Sequence, residues 1–232
     1  MDTQLDVDAR PRVPLSRERV LRAAVALADE HGVEAISMRR IAGELGVVPM
    51  ALYKHVSGKD ELLDGMIDVV VGEIGPPAGG TDGKAAIRRR VLSARGTLLR
   101  HRWASRVIES RTDPTPVVIG YMDSMIGMFR AWGFSIDLTH HAMHAMGSRL
   151  LGFSQELFDD TAEVGPEMPA EALREMAGRY PNITELVTAI THDQASVVGQ
   201  GCDDQFEFEF ALDLMLDGLE RLRDQAEATA EG

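Results

Sequence analysis

The pattern of apolar and polar positions is helical along most of the chain. Apolar residues recur at intervals of three and four, and no alternating stretch of useful length predicts a strand. Runs of glycine, proline and short polar residues separate the helical stretches. The sequence therefore predicts an all-α protein with a small N-terminal helical domain and a larger C-terminal helical domain.

The most informative stretch is residues 37–59, which read SMRRIAGELGVVPMALYKHVSGK. Ser37 is a suitable N-cap, Gly46 stands where a helix must end with a positive φ, and Pro49 suits the first turn of a second helix. The helical spacing turns Leu52 and Val56 inward. The core positions of the first helix and the corner are Ile41, Ala42, Leu45 and Val47. This pattern predicts a helix-turn-helix, whose second helix can enter a major groove.

The flanking residues complete a three-helix N-terminal domain. Ser16 is predicted to cap the first helix and Gly32 to end it. Ser57, with Asp60 three residues on, is predicted to form a capping box for the next helix. That helix carries apolar residues on more than one face, at Leu62, Leu63, Met66, Ile67, Val70 and Ile74. It is therefore expected to contact both domains.

A break rich in glycine and proline, residues 75–83, separates this part from the rest of the chain. Beyond it the sequence predicts a series of helices. Their expected positions are about 84–101, about 103–110, a helix opened by Asp113-Pro114 and ending near Trp132, a long helix capped by Ser135 and reaching about Phe158, and then about 170–179, 182–191 and 204–226.

The residues from 15 to 65 resemble the DNA-binding domain of the TetR (tetracycline repressor) family of bacterial transcription regulators. The matching features are Leu15-Ser16, Gly32, Ser37-Met38-Arg39-Arg40-Ile41-Ala42, Leu45-Gly46-Val47, Leu52-Tyr53, His55-Val56, Lys59 and Leu62-Leu63. The resemblance implies a flexible arm at 1–14, a DNA-binding domain at 15–65 and an effector-binding and dimerisation domain at 66–232.

The larger domain is most similar to the tetracycline-repressor branch of that family. Its matches are His101-Arg102, Pro114, Gly133-Phe134-Ser135, Leu151-Gly152, Glu156 and Gly218-Leu219-Glu220. The resemblance implies a homodimer in which the helices at about 135–158 and 204–226 form a four-helix bundle across a two-fold axis. The apolar residues offered for that bundle are Met143, Met146, Leu150, Leu151, Phe153, Phe206, Phe210, Leu214, Leu216 and Leu219.

The distribution of charge explains how a chain of net charge −13 can bind DNA. Residues 9–59 hold nine Lys/Arg and five Asp/Glu, whereas residues 60–232 hold fifteen and twenty-nine. Charges farther apart than a Debye length of about 8–10 Å are largely screened, so the basic end can bind phosphates while the acidic body stays away from them.

The N-terminal residues and the cysteine usage indicate the compartment. The first residues, MDTQLDVDARP, are too acidic and polar for a signal peptide, and no apolar run approaches twenty residues. The single cysteine, Cys202, excludes an internal disulfide. A cytoplasmic protein is expected, and Arg10 and Arg12 can serve either as a DNA-contacting arm or as a solubilising tail.

The residues expected to contact DNA lie in and around the helix-turn-helix. They are Ser37, Arg39, Pro49, Met50, Ala51, Tyr53, Lys54, His55 and Lys59. Pro49, Met50 and Ala51 offer apolar contact to a thymine methyl, while the polar groups and cations hold phosphates or a base edge. A palindromic operator follows from a two-fold dimer, because each recognition helix reads one half-site.

A small, largely apolar effector is expected to release the protein from DNA, since methionines repack easily around ligands. The expected ligand-binding residues are Glu109, Asp113, Met122, Met125, Ile126, His140, Met143 and Glu156. The resemblance places Glu156 at a glutamate that helps hold a magnesium–drug chelate, but Glu109 stands at the matching histidine. Tetracycline itself is therefore not expected, and no cofactor is predicted.

The sequence also fits other functions. His140 and His144 lie four residues apart and can bind a metal, although helical histidines are more often plain solvated residues. No Gly-rich phosphate loop, nucleophile elbow or Cys/His zinc spacing points to an enzyme. A DNA-binding regulator without an effector, and a helical interaction protein that does not bind DNA, are the alternatives to a ligand-responsive repressor.

Overall fold

The computed structural model describes residues 14–76, 83–152, 170–185 and 204–230. These ranges hold α-helices, one 3-10 turn at Val33–Ala35 and no strand, which confirms the predicted all-α fold. The chain forms two compact units, Met1–Trp132 and Gly133–Gly232. The helices of the first unit are α1 (Arg17–His31), α2 (Met38–Leu45), α3 (Pro49–Leu52), α4 (Lys59–Gly72), α5 (Gly83–Arg100), α6 (Ala104–Ser110) and α7 (Pro116–Ala131). Those of the second are α8 (Ile136–Gly152), α9 (Ala170–Arg179), α10 (181–185) and α11 (Asp204–Ala230).

Side-chain caps fix the boundaries of the first helices, as the sequence predicts. The hydroxyl of Ser16 accepts the backbone N–H of Arg19 (3.2 Å), and the hydroxyl of Ser37 accepts that of Arg40 (3.2 Å). Gly46 ends α2 in the left-handed region, with φ at 65°, where a side chain would strain the backbone. Local chemistry therefore sets the sharp turn between α2 and α3.

One apolar core joins the helix-turn-helix to the helices that follow it. Its fully buried side chains include Val20, Ile41, Leu52, Leu62 and Met66. Burial of each such side chain stabilises the fold by roughly 1.5–3 kcal/mol. The predicted core positions at the corner are half-buried and pack against this cluster. They are Leu45 and Val47.

Helix α4 is apolar on two sides because it lies between two sets of helices. It packs on α1 and also on α5, α6 and α7. Gly65 faces α1, where an added Cβ would lie 2.6 Å from Cδ2 of Leu21. A larger residue at this point would force the Leu21 side chain to shift. Helix α4 therefore connects α1 to α5, α6 and α7 by direct packing.

Two of the predicted caps are wrong by one or two residues. Gly58, not Ser57, is the N-cap of α4, and Glu61 rather than Asp60 reaches back, its Oε2 accepting the N–H of Ser57 (2.7 Å). The extended backbone at Gly58 starts the helix one residue later, so the third helical residue is the glutamate. The hydrogen bond from the Ser57 N–H lowers the pKa of Glu61.

The second difference concerns the start of α7. Asp113-Pro114 was predicted to open this helix, but Thr115 is the N-cap and Pro116 is the first helical residue. The hydroxyl of Thr115 accepts the N–H of Val118 (3.3 Å) and also donates to the carboxylate of Asp68 on α4. This second bond anchors Thr115. It therefore favours a helix start at Thr115-Pro116 over the similar pair Asp113-Pro114.

In the second unit α8 and α11 pack against each other. Ser135 caps α8 as predicted, its hydroxyl accepting the N–H of Leu138 (3.1 Å). Three of the residues offered for the dimer bundle, Met146, Leu216 and Leu219, are instead buried within this chain. The opposite side of α11 leaves Phe210 and Leu214 exposed. The predicted helix ends near Phe158 and at 191 lie outside the described residues.

None of the helices in the described part of the chain is long and apolar enough to cross a membrane.

Candidate functional site

The turn after α2 leads into a very short helix, α3, which buried side chains hold in place against the core. Helix α3 has four residues, and the chain continues as a turn through 53–55. The carbonyl of Leu52 accepts the N–H groups of both His55 (2.8 Å) and Val56 (3.0 Å), which extends the helical pattern. The side chains of Leu52 and Val56 are buried. The residues between them are thereby held facing outward.

An exposed apolar tip stands at the start of α3. The side chains of Val48 and Met50 are 69% and 73% exposed, although neighbouring Leu52 is fully buried. Pro49 between them is exposed and Ala51 is half-buried. A tip of this kind can make apolar contact with thymine methyl groups in a major groove. The DNA-binding residues predicted from the sequence do not include Val48. Its position between the corner residue Val47 and the helix-opening Pro49 could have indicated that it is exposed at the tip.

Polar groups and cations flank this apolar tip. Tyr53 and Lys54 are exposed and His55 is half-buried, so all three polar ends can reach the surface. Lys59, the first residue of α4, is exposed as well. Such groups can donate to phosphate oxygens and position the tip without reading the base sequence.

The two remaining DNA-binding candidates lie at the start of α2. Ser37 has a structural role there, because its hydroxyl oxygen accepts the Arg40 N–H. Its hydroxyl proton is not used in that bond and can donate to a phosphate. Arg39 is exposed. All nine candidates therefore lie in one module, residues 37–59, and each is exposed or half-buried there.

The loop between α6 and α7 is bound to an acidic row along α4. Arg111 lies with Nη1 2.9 Å from Oδ1 of Asp60 and Nε 2.7 Å from Oδ1 of Asp64. The hydrogen bond to Asp60 raises the pKa of Arg111, assisted by Asp64. Thr115 donates to Asp68 one turn further along α4. We call these contacts the α4 clasp; no pattern in the sequence indicates it, since the partners are some fifty residues apart.

A cavity lies beside the α4 clasp. It is lined by Asp64, Ile67, Ile108 and Val118 together with Asp113, a predicted ligand-binding residue, and has a volume of about 70 Å³. Pockets for drug-sized ligands are typically about 300–1,000 Å³. The cavity is too small for such a molecule unless the loop between α6 and α7 moves.

The other ligand-binding candidates of the first unit do not line this cavity. Glu109 and Met122 are exposed, Ile126 is half-buried, and Met125 is buried in the unit. These four side chains therefore occupy different environments on α6 and α7.

The candidates of the second unit lie on α8 and beyond. His140 is exposed and Met143 is half-buried, while Glu156 lies outside the described residues. The rings of His140 and His144 are edge to face, with centroids 4.6 Å apart. Over the residues that the structure describes, no group of three or more His, Cys, Asp or Glu side chains is placed to hold a metal ion.

Comparison with known families covers nearly all of this architecture. Residues 20–66 match the model of the bacterial regulatory proteins of the tetR family, and residues 76–223 match the model of the tetracyclin repressor-like C-terminal domain. The HTH-type transcriptional repressor DrrR1 of Streptomyces coeruleorubidus is 32% identical over 225 residues, which cover 91% of this chain and 80% of that protein.

Solved structures show the same fold. A possible TetR family transcriptional regulator from Streptomyces coelicolor A3(2) has a TM-score of 0.69 at 28% identity, covering 89% of this chain and 100% of that one. The TetR family protein ActR of Streptomyces coelicolor, in complex with (S)-DNPA, has a TM-score of 0.66 at 25% identity, covering 89% and 98%. The helices that carry the exposed tip and the α4 clasp thus belong to an architecture shared by these proteins.

Proposed function

Since this chain belongs to the tetR family of bacterial transcription regulators, we propose that it represses transcription by placing the exposed tip of α3 in the major groove of an operator. The observation that carries the proposal is the contrast between exposed and buried side chains within residues 48–56. Val48 and Met50 are exposed at the tip, and Leu52 and Val56 anchor it in the core. A rigid, apolar tip flanked by cations suits contact with thymine methyls and phosphates.

The operator is a palindrome read by a homodimer. One four-residue helix contacts only a few base pairs, so two copies on one duplex are needed for useful affinity. The exposed apolar face of α11, at Phe210 and Leu214, supports self-association through the second unit. In this arrangement residues 15–65 read DNA, residues 66–232 bind effector and partner, and residues 1–14 are an arm.

A small, largely apolar effector releases the protein from DNA. The ActR structure contains bound (S)-DNPA, which supports a ligand-responsive regulator of this architecture. The residues proposed to bind the effector are Glu109, Asp113, Met122, Met125, Ile126, His140, Met143 and Glu156. The α4 clasp offers a physical route for release, because a ligand that displaces the loop after α6 also frees the acidic row of α4. An effector acts only through a difference in its affinity for the two conformations.

The protein acts in the cytoplasm and has no catalytic role. The family is one of transcription regulators, and this supports the assignment. A transcription regulator without an effector is the second candidate function. The two candidates differ in one test: for a regulator without an effector, no compound lowers the affinity for the operator.

A mobility-shift assay with the DNA upstream of the protein's own gene tests the proposal. Tyr53→Ala and Lys59→Ala should each weaken binding at least tenfold, and binding by the wild type should weaken steeply as salt rises. Tyr180 is the matched control, because Tyr53 and Tyr180 are both 47% exposed. Equal affinities of Tyr53→Ala, Tyr180→Ala and wild type would overturn the proposed surface.

A further inference from the structure

A buried histidine joins the DNA-reading helices to the rest of the first unit. His101, between α5 and α6, is 7% exposed. Its Nδ1 lies 2.8 Å from Oδ1 of Asp29 in the last turn of α1, and its Nε2 lies 3.2 Å from Oε2 of Glu73, just after α4. The ring thus lies between two carboxylates that belong to different helices of the unit.

Two further donors complete the cluster. The indole N–H of Trp103 donates to Oδ1 of Asp29 (2.7 Å), and Nη2 of Arg100 donates to Oε2 of Glu73 (3.0 Å). Partial burial works to raise the pKa of Glu73, but the hydrogen bonds from Arg100 and His101 outweigh it, so the pKa is lowered. The charged groups that face the ring are therefore Asp29 from α1, Glu73 from the end of α4 and Arg100 from α5.

The geometry requires a particular protonation state of the ring. A neutral imidazole has one N–H and one lone pair, whereas an ionised carboxylate only accepts hydrogen bonds. Facing two ionised carboxylates, His101 can satisfy both only as the imidazolium, which donates from both nitrogens. The neutral ring would turn a lone pair toward one carboxylate in a buried place, which is unfavourable.

We propose that His101 is a positioning residue for operator binding, a proton-dependent tie that holds α1 to the end of α4 when the ring is charged and loosens when the ring is neutral. Its effect on the operator rests on the proposed DNA-binding function, but the tie itself does not. The sign follows from the geometry: the imidazolium donates to both carboxylates and the neutral ring to only one, so the tie weakens as pH rises.

Thermal unfolding of the full-length protein without DNA, at fixed ionic strength from pH 5.5 to 8.5, tests the tie. His101→Gln should lower the melting temperature by roughly 3–8 °C at pH 5.5, and this difference from the wild type should shrink as pH rises. Glu73→Gln provides a second variant, because its amide can donate to a neutral His101. The wild-type pH dependence should therefore be reduced in Glu73→Gln too.

The control is His31→Gln, an exposed histidine beside Glu30. It should keep the wild-type pH profile. A constant difference between wild type and His101→Gln at all pH values would overturn the proposal. Long-range ¹H–¹⁵N spectra of ¹⁵N-histidine protein give an independent readout. They should show both His101 nitrogens protonated at pH 5.5, and one nitrogen unprotonated at that pH would likewise overturn it.

Operator affinity measured over the same pH range separates the two proposals. The tie predicts that His101→Gln weakens operator binding about three- to tenfold more at pH 5.5 than at pH 8.5, whereas His31→Gln changes neither. Absence of operator binding by the wild type at every pH would contradict the proposed function and leave the unfolding result standing. An unfolding profile that depends on His101, with an operator affinity that does not, would overturn the positioning role.

Discussion

The guanidinium Nε of Arg111 lies 2.7 Å from Oδ1 of Asp64, on the helix that packs against both α1 and the later helices of the first unit. The second contact, from Nη1 to Asp60, makes the arginine a bridge between successive turns of α4. Asp60 is 88% exposed and Asp64 is 34% exposed, so solvent screens the ion pair with Asp60 more than the pair with Asp64. Contacts shielded from water count for more than exposed ones.

Replacing this arginine should therefore destabilise the protein measurably. Arg111→Ala is expected to lower the free energy of unfolding by about 1–2 kcal/mol, since it removes a solvent-screened hydrogen bond to Asp60 and an ion pair with the less exposed Asp64. Urea unfolding followed by circular dichroism gives the value. The control is Arg106→Ala, which breaks an exposed 3.5 Å pair with Glu34 and should cost less than about 0.5 kcal/mol. Equal losses in both variants would contradict a special role for Arg111.

The close approach of α4 to α1 predicts a specific packing defect. In Gly65→Ala the new methyl would overlap Leu21, where Cδ2 lies only 2.6 Å from the added Cβ, so stability should fall by about 1–3 kcal/mol. In a Leu21→Ala background the additional loss caused by Gly65→Ala should be smaller, because the overlapping side chain is gone. Gly72→Ala, in the same helix with nothing within 4 Å of an added Cβ, should be neutral or slightly stabilising. A melting temperature of Gly65→Ala equal to that of the wild type would show that α1 and α4 separate easily.

The cap at Ser37 can be separated from a DNA contact. Ser37→Ala should cost about 1 kcal/mol of stability through loss of the bond to the Arg40 N–H. Ser37→Asp should keep the cap and the stability, because a carboxylate also caps a helix. It should nevertheless weaken operator binding if phosphate lies nearby, and the effect should diminish as salt rises. Unchanged operator affinity of Ser37→Asp at low salt would remove Ser37 from the DNA surface.

The apolar tip predicts sensitivity to thymine methyl groups. Replacing the contacted thymines of the operator by uracil should weaken wild-type binding about three- to fivefold for each contact, as expected from removal of one buried methyl. In Met50→Ala or Val48→Ala the same DNA change should matter less, because the apolar partner is gone. Fluorescence anisotropy of the four combinations measures the coupling. Fully additive losses would place both side chains away from the methyl groups.

The exposed face of α11 predicts where self-association fails. Leu214→Arg should shift the protein from dimer to monomer in sedimentation velocity, because a charge in an apolar interface is costly. Ile183 of α10, an exposed aliphatic residue of comparable exposure, is the control, and Ile183→Arg should remain dimeric. A dimeric Leu214→Arg would place the interface elsewhere on the chain.

The parts of the fold that local chemistry determines were predictable from the sequence. The caps at Ser16, Ser37 and Ser135 and the turn at Gly46 each depend on residues within a few positions of one another. The start of α7 was not predictable, since Asp113-Pro114 and Thr115-Pro116 carry the same cap-proline signal. A bond to a distant helix distinguishes them.

The features that could not be predicted from the sequence depend on contacts between residues far apart in the chain. Helix α11 is apolar on two faces, and only its packing on α8 decides that Leu216 is buried while Leu214 is exposed. The tie at His101 was likewise hidden, because its partner Asp29 is 72 positions away. In the proposed DNA-binding surface, helical periodicity identified the buried residues Leu52 and Val56 and the outward-facing residues between them. It missed Val48 because that residue precedes the helix.

A cleavage reagent placed on the tip tests most directly whether α3 reads the operator. Cys202, the single cysteine, is replaced by serine, and an iron–EDTA group is attached to Met50→Cys. The expected result is cleavage of the bound operator at two clusters, symmetric about its centre and separated by about one helical turn, roughly 10 base pairs. The same group on Tyr180→Cys should not cleave. Operator that is bound but uncut by the Met50 reagent, or cut equally from position 180, would contradict the assignment of α3 as the DNA-reading element.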